Sequence, residues 1–149
     1  MDDGFGCRRI GLPIIILTEK QKQILSNYAD REKPNESCGI LLGSVDNEKI
    51  KVEKIFLTKN IEQSPVNFTI SAEQRLEADK MEKKLQLKII GIFHSHPDSM
   101  AYPSNTDKKF MELNHEVWLI FSGISKEFKA YVLEREILEI PIEIEESGL

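Results

Sequence analysis

Apolar positions change their spacing from one stretch of the chain to the next. Residues 13–17 form a short unbroken apolar run, Pro-Ile-Ile-Ile-Leu, of the length a buried strand needs. Thr18, with Gln21 three positions later, then reads as a capping box. Ile24, Leu25, Tyr28 and Ala29 follow at spacings of three and four, which predicts one apolar face on a helix. Pro34-Asn35 interrupts that pattern. Two β-type runs are expected at residues 38–42 and 49–57, divided by the turn-rich Ser44-Val45-Asp46-Asn47. Residues 58–67 are polar with one proline and read as a loop. Ser71 and Gln74 repeat the capping-box spacing ahead of a helix, whose buried stripe is expected at Ala72, Leu76, Met81 and Leu85.

The second half begins with a strongly apolar strand over residues 88–96 and a loop through Tyr102. A short helix is expected over residues 104–113, then strands over 117–121 and 128–134, and a last strand over 137–144. Strands interleaved with helices imply a mixed α/β layer fold. Residues 1–11, with glycines at 4, 6 and 11, read as a loose lead-in, and residues 12–149 as one domain. No internal repeat or low-complexity tract is visible.

Composition narrows the class without deciding it. The 149 residues are 40% hydrophobic and 30% charged, the balance of a globular enzyme rather than of a disordered chain. A formal net charge of −5, with both signs interspersed, offers no basic footprint for nucleic acid. The early apolar run at residues 12–17 is too short to span a bilayer, and no cleavable signal follows Arg8-Arg9, so a cytoplasmic protein is expected. Cys7 and Cys38 are too few for a disulfide framework and are expected to be unpaired thiols.

Candidate chemistry centres on the end of the strand over residues 88–96. Side chains alternate faces along a strand, so His94 and His96 project together while Phe93 and Ser95 face the other way. Pro97 biases His96 towards an extended backbone and keeps the pair aligned. Asp107 lies 11 positions beyond His96 and would complete a set of three protein ligands, leaving a fourth tetrahedral position open. Each residue also has a simpler reading. A His-x-His pair on a strand can be two half-exposed imidazoles, Ser104 and Asp107 can be a capping box, and Glu36 can be a solvated acid beside Pro34.

In combination these residues resemble a known family. His94-Ser95-His96-Pro97, six residues, then Ser104-Asn105-Thr106-Asp107 is similar to the JAMM (MPN+) metalloprotease motif without a mismatch. Glu36, in Glu36-Ser37-Cys38-Gly39-Ile40-Leu41-Leu42-Gly43, is similar to the family's upstream glutamate at the start of a strand, in the form of compact prokaryotic members. The resemblance runs from about Thr18 to Glu134 and implies a single-domain α/β JAMM/MPN fold. Its curved mixed sheet would be flanked by helices in a layout similar to the zinc (cytidine) deaminases.

The resemblance further implies one Zn2+ per chain on His94, His96 and Asp107. Glu36 would be the general base that moves a proton from water to the leaving amine, and Ser104 the hydroxyl that donates to the developing oxyanion. The implied substrate is a ubiquitin-like or sulfur-carrier protein, cleaved after its C-terminal glycine. The alternatives are removal of a short amino-acid adduct from a sulfur carrier, or a non-catalytic MPN scaffold, although scaffold members typically lose the ligands kept here. A deaminase lacks support because its His-x-Glu and Pro-Cys-x-x-Cys signature is absent, and an iron oxygenase would need neither Glu36 nor Ser104. Ser95 is expected to support the strand, His115 to lie on the surface, Trp118 in the core, and Cys38 to be a small buried residue beside the site. Residues 58–68 are expected to guide the substrate tail.

Overall fold

The computed structural model describes residues 11–146. Of the expected lead-in only Gly11 falls within them, and Cys7 lies outside the described residues. The strand β1 (Ile14–Thr18) passes directly into the helix α1 (Glu19–Glu32). The expected capping box closes this junction: Gln21 N donates to Thr18 Oγ1 at 3.0 Å, and Thr18 N donates to Gln21 Oε1 at 2.9 Å. Leu25 and Ala29 of α1 are buried, Tyr28 is half-buried, and Ile24 stays exposed at the edge of the apolar face.

Strands β2 (Cys38–Asp46) and β3 (Lys49–Thr58) form a longer hairpin than the apolar runs suggested. Ser44, Val45 and Asp46 pair with Lys51, Ile50 and Lys49, so the turn contracts to Asn47-Glu48. Asn47 takes φ 57°, a left-handed conformation that asparagine tolerates better than most residues. The ladder shifts register after Leu42, where a Cβ on Gly43 would lie 1.8 Å from the Lys51 carbonyl oxygen. Only glycine fits so close an approach.

The helix α2 (Ala72–Leu85) departs from its expected phase. Ala78 is its one buried residue, Ala72 is exposed, and Leu76 and Leu85 are 55% and 42% exposed. The face turned to the protein runs through Gln74, Ala78, Met81 and Glu82. Polar side chains fix that phase: Gln74 accepts from Lys59 N at 2.8 Å, and Glu82 accepts from Ile89 N at 2.7 Å. Gln74 is therefore committed to the preceding loop, and Ser71 caps the helix without a reciprocal bond.

Strand β4 (Lys88–His96), helix α3 (Asn105–Met111), and strands β5 (Val117–Ser122) and β6 (Phe128–Leu133) follow as the pattern predicts, within one or two residues. The expected last strand is two strands, β7 (Ile137–Ile140) and β8 (Ile142–Glu145), broken at Pro141. Proline has no N–H for a ladder, so the break falls there.

The eight strands form one mixed sheet in the order β7-β6-β5-β4-β2-β3-β1-β8. β7 and β8 are thus opposite edges joined through a single residue, which requires the sheet to curl until its edges nearly meet. One face packs Leu41, Phe93, Leu119 and Val132 against Leu25 and Ala29 of α1. The other packs Ile40, Ile92, Trp118 and Ile120 against Ala78 of α2 and Met111 of α3. β4 lies between β2 and β5 near the centre, so its C-terminal end opens onto the loops between helices. Among the described residues no helix is long and apolar enough to cross a membrane.

Candidate active site

The alternation of β4 sends Phe93 into the α1 core, and His94 and His96 to the opposite face. Parallel pairing with β5 sets His94 opposite Ile120 and His96 opposite Ser122. Ser104 then ends the loop after β4 as the N-cap of α3. Its Oγ accepts from Asp107 N at 3.0 Å, while Asp107 Oδ2 accepts from Ser104 N at 2.9 Å. The capping-box reading of Ser104 and Asp107 is therefore correct, and the cap is what holds Asp107 towards the imidazoles. His94 Nε2 is 3.1 Å from Asp107 Oδ2, His96 Nε2 is 3.2 Å from the same oxygen, and the two Nε2 atoms are 3.1 Å apart.

That triangle suits a metal ion. Three ligands at zinc-like distances with tetrahedral angles would sit about 3.3 Å from one another. His96 Nδ1 is 2.9 Å from the Met100 carbonyl oxygen. A carbonyl only accepts, so Nδ1 carries the hydrogen and Nε2 presents its lone pair to the cluster. His94 is fully buried, stacked on Phe68 at 4.6 Å and edge-on to Trp118 at 5.6 Å, and its Nδ1 has no partner. The His96 Nε2 lone pair and Asp107 Oδ2 point at one another's neighbourhood beside His94 Nε2, and a cation shared by these three atoms satisfies converging acceptors that protein contacts alone set against each other.

Burial lowers the His94 pKa and favours the neutral imidazole that a metal requires. Burial also pulls His96 down, but its bonds to Asp107 and Met100 and the charge of Glu36 raise it on balance. For Asp107, burial acts upwards and is outweighed by both histidines, which hold the carboxyl well below the usual range.

Glu36 reaches this cluster from the segment before β2. Cys38 pairs with His94 across the β2–β4 ladder, and Ser95 N donates to the Ser37 carbonyl at 3.1 Å. Ser37 N donates to Ser95 Oγ at 2.9 Å, and the two hydroxyls are 2.8 Å apart, so Ser95 ties the start of β2 to the end of β4. Glu36 is 4% exposed, with Oε2 4.0 Å from His96 Nε2 and Oε1 unpartnered. Burial, reinforced by the Asp107 charge and opposed by His96, pushes its carboxyl up to about 8. A bound dication would reverse much of that shift.

A cleft of about 400 Å³ opens over these groups. Its lining includes Glu36, His96 and Ser104 together with Pro65, Val66, Met100 and Tyr102. A second cavity of about 320 Å³ lies between α2 and α3, lined by Phe68, Ile70, Phe110 and Leu113, and has no acid or imidazole in its lining.

All five candidate residues, Glu36, His94, His96, Ser104 and Asp107, thus meet at one place. His115 is exposed, Trp118 is core but also borders His94, and Cys38 is a buried free thiol bonded by the Thr58 hydroxyl at 3.3 Å. The sequence pattern gave no sign of the stacking Phe68, of the Met100 carbonyl that fixes His96, or of the buried Asn60.

Two imidazoles and a carboxylate on a buried sheet end, beside a cleft, make a donor set that could hold one metal ion. The model of the prokaryotic homologs of the JAB domain matches residues 18–134. The chain belongs to this family of JAMM-type hydrolases. It is 35% identical over 112 residues to a desampylase from Pyrococcus furiosus, covering 74% of the chain and 76% of that protein. A CysO-cysteine peptidase from Mycobacterium tuberculosis is 32% identical over 83 residues, 55% of each chain. A solution structure of protein DSY2949 from Desulfitobacterium hafniense superposes with a TM-score of 0.81 at 30% identity, covering 90% of this chain and 94% of that one.

Proposed function

We propose that this protein is a zinc-dependent isopeptidase or peptidase that cleaves after the C-terminal glycine of a ubiquitin-like or sulfur-carrier protein. The observation that carries the reading is Glu36, a buried carboxylate with one free oxygen, set beside a three-ligand cluster at the floor of an open cleft. His94, His96 and Asp107 would hold the metal. When bound, zinc polarises a carbonyl and lowers the pKa of water to about 7.

The chain's own residues supply the rest. Glu36 would take a proton from the attacking water and deliver it to the leaving nitrogen, a role that suits a buried carboxylate beside the cluster with Oε1 unpartnered. Ser104 uses an oxygen lone pair for the α3 cap, so its O–H hydrogen remains for the oxygen of the attacked carbonyl. Pro65, Val66, Met100 and Tyr102 also line the cleft, and an extended Gly-Gly tail would thread such a lining more readily than bulkier residues. The body of the modifier would remain outside.

The peptidase named for CysO-cysteine supports a second reading, in which the bond cut joins a sulfur carrier to a single amino acid. Both readings share the tail and differ in the leaving amine. The test compares a folded modifier joined to lysine, the same modifier ending in one added amino acid, and a free peptide with the same last residues. Higher kcat/KM on a folded substrate than on the peptide supports the assignment, and the better of the two folded substrates decides the leaving group. Equal kcat/KM on all three would reassign the protein as a general peptidase.

A further inference from the structure

Glu36 has no hydrogen-bond partner on Oε1, and its other oxygen makes only the 4.0 Å approach to His96. With no side-chain hydrogen bond to hold it among the described residues, this carboxylate depends on its backbone for its place beside the cluster. That backbone is held on both sides by the loop between β3 and α2. Glu36 N donates to the Ser64 carbonyl at 2.9 Å, and the Glu36 carbonyl accepts from Asn60 Nδ2 at 3.0 Å.

Asn60 is 7% exposed and works in both directions at once. Nδ2 also donates to the Asn67 carbonyl at 2.9 Å and lies 3.4 Å from that of Ser64. Oδ1 accepts from Glu62 N and Thr69 N, each at 3.1 Å. The residues bracketed by these bonds include Pro65 and Val66, one wall of the cleft. A side chain that merely stapled the loop would need partners within the loop. The bond to Glu36 reaches 24 positions back in the chain and joins the loop to the carboxylate residue.

We infer that Asn60 is a positioning residue: its carboxamide fixes the Glu36 backbone and the Pro65–Val66 wall relative to one another. The inference rests on the proposed role of Glu36 as the base. Asn60→Asp keeps an acceptor for Glu62 and Thr69 but removes every donor, and Asn60→Ala removes both. In the zinc-loaded protein both variants should retain one zinc per chain and lower kcat about 10- to 100-fold, the scale of a small misplacement of a reacting group. Because the effect passes through Glu36, the same substitution in a Glu36→Gln background should cost less than about twofold. An equal loss in both backgrounds, or unchanged kcat, overturns the inference. If Asn60→Ala does not fold, Asn60→Asp carries the same comparison.

Amide hydrogen exchange separates this inference from the proposed activity. In Asn60→Asp the Glu36 amide should exchange at least about tenfold faster, as its Ser64 acceptor loosens, while the Ser95 amide, bonded to Ser37, stays protected. If the parent cleaves no modifier, the activity assignment falls, and exchange still decides the tether. Unchanged protection at Glu36 removes it.

Discussion

The two walls of the cleft are built in different ways. The side of the proposed ligands comes from regular elements: β4 carries His94 and His96, and the capped first turn of α3 carries Asp107. Its geometry follows from strand alternation and a helix cap, and a hydrophobic core backs it on Phe68 and Trp118. The other side is a loop outside helix and sheet, held by the buried Asn60 amide and by the Ser64 hydroxyl that accepts from Val66 N and Asn67 N, and carrying Pro65 and Val66. Regular structure places metal ligands with little freedom, as a metal centre demands. A loop tolerates variation, and a surface that selects substrates benefits from that tolerance.

The sharpest way to break the comparison is at the regular wall. A His94→Ala/His96→Ala double variant should bind no zinc by metal analysis and should have no detectable hydrolysis, since one ligand cannot hold the ion. Unchanged zinc in that variant would remove the assignment.

A smaller effect concerns stability against pH in chelator-treated protein. The Glu36 carboxyl rises from 4.5 to about 8 on folding, so the folded state keeps a proton that the unfolded state releases. Stability from this group is complete below pH 4.5 and is lost as pH rises towards 8. Glu36→Gln should therefore stabilise the metal-free protein by about 2–5 kcal/mol at pH 8.5, with little change at pH 4, by denaturant melts. Zinc should shrink the difference, because the dication favours the carboxylate.

Gly123 probes the backbone behind the ligand wall. Its N–H donates to the His96 carbonyl at 2.8 Å, and a Cβ there would lie 2.4 Å from the Pro97 carbonyl oxygen. Gly123→Ala should cost about 1–3 kcal/mol in denaturant melts and weaken zinc retention, because the displaced backbone follows His96 directly. The loop wall should respond least. Val66 is 68% exposed, and Val66→Ser should raise KM about three- to tenfold with kcat and zinc content unchanged.

What the sequence makes legible follows the same division. The His-x-His spacing and the Ser104–Asp107 cap are short-range patterns and both could be read, but the cap stood as an alternative to ligation, and it is the structure that shows the cap turning Asp107 towards the imidazoles. Glu36 was legible only through its resemblance to a family motif, since nothing in Asn35-Glu36-Ser37 reveals contact with a strand nearly sixty positions away. The phase of α2 was misread because Gln74 and Glu82, both polar, face inwards to accept backbone N–H groups, leaving Leu76 outside. Hydrophobic periodicity cannot register a helix anchored by polar contacts. The split at Pro141 was readable from the missing N–H, but not the crossing from one sheet edge to the other, which depends on the curl of the whole sheet. Asn60 was hidden for a related reason: a buried amide in a polar loop has the same local sequence as an exposed one.

The central claim is that Glu36 moves the proton while the histidines and Asp107 hold the metal. It is tested most directly by counting zinc and measuring kcat in one preparation of Glu36→Gln, beside the parent, on a substrate the parent cleaves. The account predicts one zinc per chain in both and a kcat lower by about 10²–10⁴ in the variant. Parental kcat with zinc retained would take Glu36 out of the mechanism, and loss of zinc would make it a ligand rather than a base.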